Sequence, residues 1–163
     1  MSAAPRHLGL MDSRSSGPYF EDLFVGHLAR TPSLEVTAEE MVSFATRYDP
    51  QPFHLNEEAG RASVFGGLAA SGWLTCALTM RLINLGPGTM NGRMIGLGVD
   101  SIVWPKPVRA GDVLTAESEV LSLRPSHSRP AFGIIQSRIT TRNQRHETVL
   151  VMTVNVMVGR RPV

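Results

Sequence analysis

Asp49 and His54 lie five residues apart in the segment YDPQPFH, residues 48–54, which also contains two prolines. Each proline fixes φ, so the backbone between the carboxylate and the imidazole has little freedom and can hold both side chains in one geometry. An imidazole beside a carboxylate is suited to taking or giving a proton near neutral pH, and we therefore predict an acid–base pair. The alternative is a helix-ending turn in which Asp49 bonds local N–H groups and His54 is a surface residue.

A second candidate segment is FGGLAASGWLT, residues 65–75, in which two glycines precede an apolar stretch. Glycines at a helix start allow the backbone to approach a ligand, and the first N–H groups of a helix have no partner within it. The positive end of the helix dipole then favours an anion such as a developing oxyanion. The alternative is a tight turn at Gly66 and Gly67, with Gly72 allowing close packing.

The surrounding pattern predicts the elements that must position these segments. Thr37 and Glu40 form a capping box, which predicts a helix that runs to the prolines near residue 50. A long apolar helix is predicted over about 68–85, with one strand before the first helix, between residues 19 and 36. Strands are predicted after the long helix at 94–103, 113–123, 131–141 and 148–158. This order indicates an α+β fold in which an antiparallel sheet curves around a buried central helix.

Length and composition predict one globular domain. The chain has 163 residues, of which 42% are hydrophobic, enough for one core and too few for two full domains. Residues 1–18 are rich in Ser, Gly, Pro and Arg without an apolar period, and we predict a flexible N-terminal tail there. The domain is then expected to span residues 19–163.

Charge and cysteine content exclude several classes of function. The net charge is only +2, and the basic residues are scattered among 14 acidic ones, so nucleic acid is not an expected partner. The single cysteine, Cys76, excludes an internal disulfide and a cysteine-cluster zinc site and fits a reducing compartment. No signal peptide or membrane span is recognisable, so we expect a soluble, cytoplasmic protein with no membrane partner.

Two motifs together carry a resemblance to a known family. DPQPFH followed after a short spacer by FGGLAASGW resembles the MaoC-type acyl dehydratases, relatives of the (R)-specific enoyl-CoA hydratases. The run WPKPVRAGD, residues 104–112, is similar to a strand connection of that family, and the resemblance extends from about residue 19 to 158. It implies a hot-dog fold and a homodimer or higher homo-oligomer with active sites near the subunit interface. It implies no metal and no cofactor other than the coenzyme A of the substrate.

The resemblance also implies roles for individual residues. Asp49 and His54 match the catalytic dyad of the hydratases, and Gly67 matches the glycine whose N–H binds the thioester oxygen. Thr75 falls where better-known members have a serine near the site. The activity implied is reversible hydration of a trans-2-enoyl thioester, carried by coenzyme A or by an acyl carrier protein, to the 3-hydroxyacyl thioester.

Two positions depart from the better-known motifs, and three others are candidates for the acyl pocket. Gln51 stands where asparagine is usual, and Gly66 stands where histidine is frequent, which bears on acyl chain length and substrate. The pocket candidates are Phe53, Leu68 and Trp73, each of which core packing explains equally well.

Two other functions remain as alternatives. A hot-dog thioesterase would direct water at the thioester carbonyl, and the D-P-x-P-x-H segment argues against it. A non-catalytic acyl-binding module would need neither Asp49 nor His54, so the presence of both argues against that class. A thioesterase would release free thiol from acyl-CoA, whereas a binding module would show no turnover.

Overall fold

One antiparallel sheet organises the protein. The computed structural model describes residues 18–86 and 93–162, and in them the strands are ordered β1-β4-β5-β6-β3, with the short β2 paired to β4. The strands are β1 (Leu28–Arg30), β2 (Leu34–Glu35), β3 (Met94–Val103), β4 (Val113–Pro125), β5 (Phe132–Arg142) and β6 (Thr148–Gly159). The helices are α1 (Ala38–Tyr48), α2 (Pro52–Leu55), α3 (Glu57–Arg61) and α4 (Gly72–Leu85).

The sheet buries one face of each central strand, because successive side chains of a strand point to opposite sides. In β4 the buried side chains include Leu114, Ala116 and Val120, while in β5 they include Ile135 and Ile139. The two strands pair antiparallel along most of their length, and β5 pairs in the same way with β6. The core therefore lies on one side of this sheet, against α4.

Helix α4 buries residues that lie four positions apart. Leu74, Leu78 and Leu82 are nearly inaccessible and lie on one helical face. The Thr79 and Thr141 hydroxyls, 2.8 Å apart, form a hydrogen bond between the helix and β5. The helix is not covered on all sides within one chain, since large apolar residues on it are exposed, among them Trp73 at 59%.

The predicted α+β order is confirmed, and the four long strands end within two residues of their predicted bounds. The predicted start of the long helix is wrong: α4 begins at Gly72, and Ser71 is its N-cap, accepting a hydrogen bond from the Trp73 N–H at 3.2 Å. The segment 19–36 contains two short strands rather than one. The predicted tail, residues 1–18, lies outside the described residues except for Pro18.

Neither a membrane-spanning helix nor a cluster of metal-ligating side chains is present among the described residues. In residues 18–86 and 93–162, no helix has the length and apolar character that crossing a bilayer requires. No three His, Cys, Asp or Glu side chains cluster there in a way that would hold a metal ion.

Candidate active site

The acid–base segment lies between two helices. Helix α1 ends at Tyr48, and the N–H of its C-cap Asp49 donates to the Ala45 carbonyl at 3.0 Å. Helix α2 begins with Pro52. Proline suits that position because its φ is already helical and the missing N–H has no partner there in any case. The Gln51 N–H donates to the Asp49 carbonyl at 2.7 Å and closes the turn. This turn directs Asp49 and His54 toward each other.

The imidazole of His54 is buried and contacts the carboxylate of Asp49. The distance from His54 Nε2 to Asp49 Oδ2 is 3.4 Å, and His54 is 5% exposed, so the alternative of a surface histidine is wrong. His54 Nδ1 lies 2.7 Å from the Ala69 carbonyl oxygen. A carbonyl only accepts hydrogen bonds, so Nδ1 must carry a proton. Proton exchange by the neutral ring therefore takes place at Nε2, the atom that faces Asp49.

The carboxylate of Asp49 accepts a hydrogen bond at each oxygen. The Ser71 hydroxyl donates to Oδ2 at 2.6 Å, and the Gln51 side-chain amide donates to Oδ1 at 2.8 Å. The Ser71 bond is the largest cause of a lowered pKa of Asp49, partial burial opposes it, and Gln51 and His54 lower the pKa further. Asp49 is therefore ionised at neutral pH. Sequence reasoning missed Ser71, although serine directly before a helix is a recognisable N-cap signal.

Charged side chains from distant parts of the chain hold the turn at residues 65–68. Arg109 Nη1 donates to the Gly67 carbonyl at 2.9 Å and to the Leu68 carbonyl at 3.0 Å, and Nη2 donates to the Phe65 carbonyl. On the other side, the Leu68 N–H donates to Glu57 Oε2 at 2.9 Å. Gly67 lies four residues before the N-cap of α4, so its predicted position at the helix start is wrong.

One peptide unit of this turn has no hydrogen-bond partner among the described residues. The Gly66 N–H donates to Ser63 and the Ala69 N–H donates to Phe53, each to the carbonyl at 3.2 Å. These bonds and the Arg109 and Glu57 contacts hold the peptide units on both sides. The peptide unit that joins Gly66 to Gly67 has no described hydrogen bond at its carbonyl or at its N–H. Gly67 itself is buried. Among the described hydrogen bonds, the Gly67 N–H is therefore the backbone donor of this turn that has no partner.

Two glycines, Gly60 and Gly66, allow the turn at residues 65–68 to pack directly against α3. A Cβ on Gly60, in α3, would come within 2.4 Å of the Gly67 carbonyl carbon and oxygen, so helix and turn are in direct backbone contact. Gly66 has a φ of 65°, in the left-handed region where a side chain is strained. Glycine at 66 therefore has a backbone reason that is independent of the histidine frequent at this position in the resembling family.

The predicted acyl-pocket residues lie in different surroundings. The Phe53 ring is edge-on to the His54 ring, with centroids 4.6 Å apart, and also contacts Phe65 at 5.1 Å. Phe53 is thus beside the acid–base pair, and Leu68, also half-buried, packs against the core. The Thr75 hydroxyl donates to the Ser71 carbonyl at 3.4 Å inside α4, and this buried residue contacts neither Asp49 nor His54 through a hydrogen bond.

Trp73 lines a largely apolar cavity between α4 and the sheet. The cavity has a volume of about 590 Å³ and follows the helix through Trp73, Cys76 and Met80, with Val99 and Ile102 on the sheet side. This size is in the range of pockets that bind small organic ligands. Of the predicted pocket residues only Trp73 is among the lining residues of this cavity, which include neither Asp49 nor His54.

Comparison with known proteins finds one family and two similar relatives. The sequence pattern of the family described as MaoC like domain matches residues 24–142. Uncharacterized protein YdeM of Bacillus subtilis (strain 168) is 30% identical over 141 residues, which are 86% of this chain and 98% of that protein. A 3-hydroxybutyryl-CoA dehydratase of Methylorubrum extorquens is 31% identical over 115 residues, 68% of this chain and 69% of that protein.

Solved structures show the same fold. A MaoC-like dehydratase from Rhodospirillum rubrum has a TM-score of 0.86 and 46% identity, covering 90% of this chain and 100% of that one. An (R)-hydratase from A. caviae involved in PHA biosynthesis has a TM-score of 0.68 and 27% identity, covering 87% and 99%. A Mycobacterium tuberculosis protein with a double hotdog fold has a TM-score of 0.75 and 21% identity, covering 91% and 46%. The hot-dog fold implied by the sequence motifs is confirmed.

Proposed function

The chain belongs to the MaoC like domain family, and from that membership we propose that it is an enoyl-thioester hydratase. The reaction is reversible addition of water to a trans-2-enoyl-CoA, which yields a 3-hydroxyacyl-CoA. Asp49 and His54 are the proposed catalytic residues, and the Gly67 N–H is the proposed oxyanion donor. The observation that carries the proposal is the 3.4 Å pairing of the buried imidazole with the carboxylate.

The two acceptors of the pair suit the activation of one water molecule. The lone pair of His54 Nε2 and the Asp49 carboxylate can accept the two O–H bonds of a single water, whose oxygen is then directed at C3 of the enoyl group. The Ser71 and Gln51 hydrogen bonds stabilise ionised Asp49 and oppose its protonation. We therefore assign the proton that leaves the water to His54 Nε2, while Asp49 orients the water and stabilises the imidazolium.

The proton and electron balance follows from this assignment. As the water oxygen bonds to C3, one O–H bond breaks, the C2–C3 π electrons move toward the thioester, and an enolate oxygen forms. His54 Nε2 then returns its proton to C2, which restores the carbonyl and the neutral ring. No cofactor takes part beyond the coenzyme A of the substrate.

The enolate oxygen is the point where negative charge develops, and the Gly67 N–H is the proposed donor to it. A donor that is fixed before the reaction stabilises this charge without reorganisation, and removing one such donor typically costs about 3 to 4 kcal/mol of barrier. The support is that Gly67 is buried in a turn whose other peptide units have partners.

A homodimer is part of the proposal. Strand β3 is one edge of the sheet, and it exposes Ile95, Leu97 and Val99, each by about half. An exposed apolar edge strand is a template for pairing with another chain. Met80 of α4, 43% exposed, adds apolar surface that a second copy can cover. Light scattering on the purified protein should give the mass of a dimer or of a larger even assembly.

Two signals measured in the same reaction distinguish a hydratase from a thioesterase and from a non-catalytic binding module. The purified protein is mixed with crotonyl-CoA and with longer and branched enoyl-CoAs, and both enoyl absorbance and free thiol are followed. Hydration predicts loss of the enoyl absorbance without thiol release. Thiol release would indicate a thioesterase, and no change in either signal with binding detected by thermal shift would indicate a non-catalytic module. Both results would contradict the proposal.

A further inference from the structure

We propose that Arg109 is a positioning residue that sets the direction of the Gly67 N–H, an inference that rests on the proposed hydration reaction. Arg109 belongs to the run WPKPVRAGD, which the sequence indicates only as a strand connection. In the structure its guanidinium reaches across to the turn at residues 65–68. It contacts no atom of Asp49 or His54 among the described hydrogen bonds and ion pairs, so its effect must pass through that turn.

The guanidinium bonds three carbonyls of four consecutive residues. It donates to the carbonyls of Phe65, Gly67 and Leu68, and it makes no described bond to the carbonyl of Gly66. The planar guanidinium presents five N–H groups in a rigid arrangement, so the three carbonyls must converge on its plane. The α-carbons on both sides of the Gly66–Gly67 peptide unit are thereby held, and that unit keeps its N–H for a ligand.

Arg109 and Glu57 lie on the two sides of Gly67. A Cβ built on Gly67 would be 3.4 Å from both Arg109 Nη1 and Glu57 Oε1. The Leu68 N–H is the largest cause of a lowered pKa of Glu57, and Arg61 and Arg109 contribute to the same shift. The turn is therefore oriented by a cation bonded to its carbonyls and an anion bonded to its amide.

The backbone of Arg109 is itself fixed from the core side. Its N–H donates to Asp112 Oδ2 at 2.8 Å, and Asp112 is only 2% exposed. The other oxygen of Asp112 forms an ion pair with Arg145 at 3.2 Å. The base of the Arg109 side chain is thus anchored, which restricts where its guanidinium can reach and makes the side chain a rigid support for the turn.

The chain offers a matched control for this role. Arg61 forms an ion pair with the same Glu57 at 3.0 Å, but it donates to no carbonyl of the turn among its described bonds and its side chain is 72% exposed. Replacing Arg61 therefore removes a cation beside Glu57 and leaves the carbonyls of the turn bonded. Arg109→Lys keeps the charge and removes the multiple donors, and Arg109→Gln removes both.

The test compares the kinetics of wild type, Arg109→Lys, Arg109→Gln and Arg61→Gln with an enoyl-CoA that the wild type hydrates. An oxyanion donor acts mainly in the transition state, so both Arg109 variants should lose about 10- to 100-fold in kcat with a smaller change in KM. Arg61→Gln should stay within about twofold of wild type, because exposed ion pairs contribute little. If Arg109→Gln does not fold, the kcat of Arg109→Lys alone tests the role of Arg109.

A spectroscopic measurement separates positioning from a loss of stability. In an Asp49→Asn background, which prevents turnover, a bound chromophoric enoyl-CoA should absorb at longer wavelength when its carbonyl is polarised. Adding Arg109→Lys should reduce this red shift while the enoyl-CoA still binds. Unchanged kcat in both Arg109 variants, or an unchanged red shift, would overturn the role of Arg109 alone. A wild type that hydrates no enoyl-CoA would instead refute the proposed function and this inference with it.

Discussion

The two halves of the candidate site are held in different ways. In the acid–base segment, residues 49–54, much of the geometry is local, since Gln51 bonds Asp49 two residues away and His54 lies five residues along the chain. The turn at residues 65–68 depends instead on Arg109, more than forty residues away, and on Glu57. Contacts between neighbours along the chain can be recognised in a sequence. Contacts between residues far apart in the sequence become visible only in the folded structure.

The two halves also differ in how many groups support them. The carboxylate of Asp49 has a separate donor at each oxygen, so loss of one leaves the other. Three carbonyls of the turn share one guanidinium, so loss of Arg109 frees all three. We therefore expect the loss of one donor to Asp49 to lower activity only in part. Loss of Arg109 should disturb the whole turn at residues 65–68 at once. Substitutions in each half and outside both can test this difference.

Removing either member of the acid–base pair should abolish most of the activity. Asp49→Asn and His54→Ala should each lower kcat by about 1,000-fold, because general acid–base catalysis contributes about 100- to 10,000-fold. Circular dichroism should show a retained fold. Glu58→Gln, an exposed carboxylate of α3, serves as the control and should match wild type. Either site variant with more than about a tenth of wild-type kcat would contradict the proposed dyad.

Gly60→Ala tests the backbone contact behind the turn. The new methyl group would lie 2.4 Å from Gly67 backbone atoms, which cannot yield as a flexible side chain can. We expect a loss of about 1 to 3 kcal/mol in the free energy of unfolding, measured in urea, and a lowered kcat in the folded fraction. Gly86→Ala is the control, since its Cβ would meet neighbours at 3.5 Å. Equal kcat in wild type and Gly60→Ala would show that the turn tolerates displacement.

Ser71→Ala should change how the stability of the protein depends on pH. The Ser71 hydroxyl lowers the pKa of Asp49 below its ordinary 3.8, so stability from the ionised form is complete above that value and is lost as pH falls through the lower folded-state pKa. Without the hydroxyl the pKa of Asp49 rises toward its ordinary value, so Ser71→Ala should lose less stability than wild type when the pH falls from 7 to about 3, measured by urea unfolding at both pH values.

Thr37→Ala is the matched control for that experiment. Both residues are helix N-caps, and loss of either cap costs about 1 kcal/mol of stability, but Thr37 caps α1 and bonds Glu40 rather than Asp49. Thr37→Ala should therefore lower stability by a similar amount at both pH values. An equal loss of stability on acidification in Ser71→Ala and Thr37→Ala would contradict the assignment of Ser71.

A charge cluster outside both halves should have the smallest effect on activity. Hydrogen bonds from Asn143, Lys106 and Arg145, in that order of effect, lower the pKa of Glu147 to about 2 from 4.5. The stability this gives is present above pH 4.5 and is lost as pH falls toward 2. Glu147→Gln should be less stable than wild type at pH 7, the difference should shrink near pH 3, and kcat should stay close to that of wild type.

The sequence predicted those features that depend on neighbours along the chain. The four long strands follow from β-branched segments bounded by turn residues, and the pairing of Asp49 with His54 follows from the prolines between them. The start of α4 was missed because Ala69 and Ala70 are good helix formers that bond elsewhere. The Ala69 N–H donates to Phe53 and the Ala70 N–H donates to Val108, so tertiary hydrogen bonds override helix propensity.

The support of the turn was not predictable from the sequence alone. Nothing in the spacing of Arg109 or Gly60 indicates that a guanidinium and a helix backbone meet at Gly67. Such contacts depend on how α3, the turn and the connection before β4 pack, which only the fold determines. The resemblance to acyl dehydratases identified the glycine, and the structure adds the residues that surround it.

The most direct test of the proposed function is to follow one oxygen atom. Wild-type protein is incubated with crotonyl-CoA in water enriched in heavy oxygen, and the products are analysed by mass spectrometry. We predict 3-hydroxybutyryl-CoA that carries one heavy oxygen on C3 with its thioester intact, and none of this product with Asp49→Asn. Heavy oxygen in a free carboxylic acid, or no product from crotonyl-CoA and the longer enoyl-CoAs with a folded protein, would contradict the proposal.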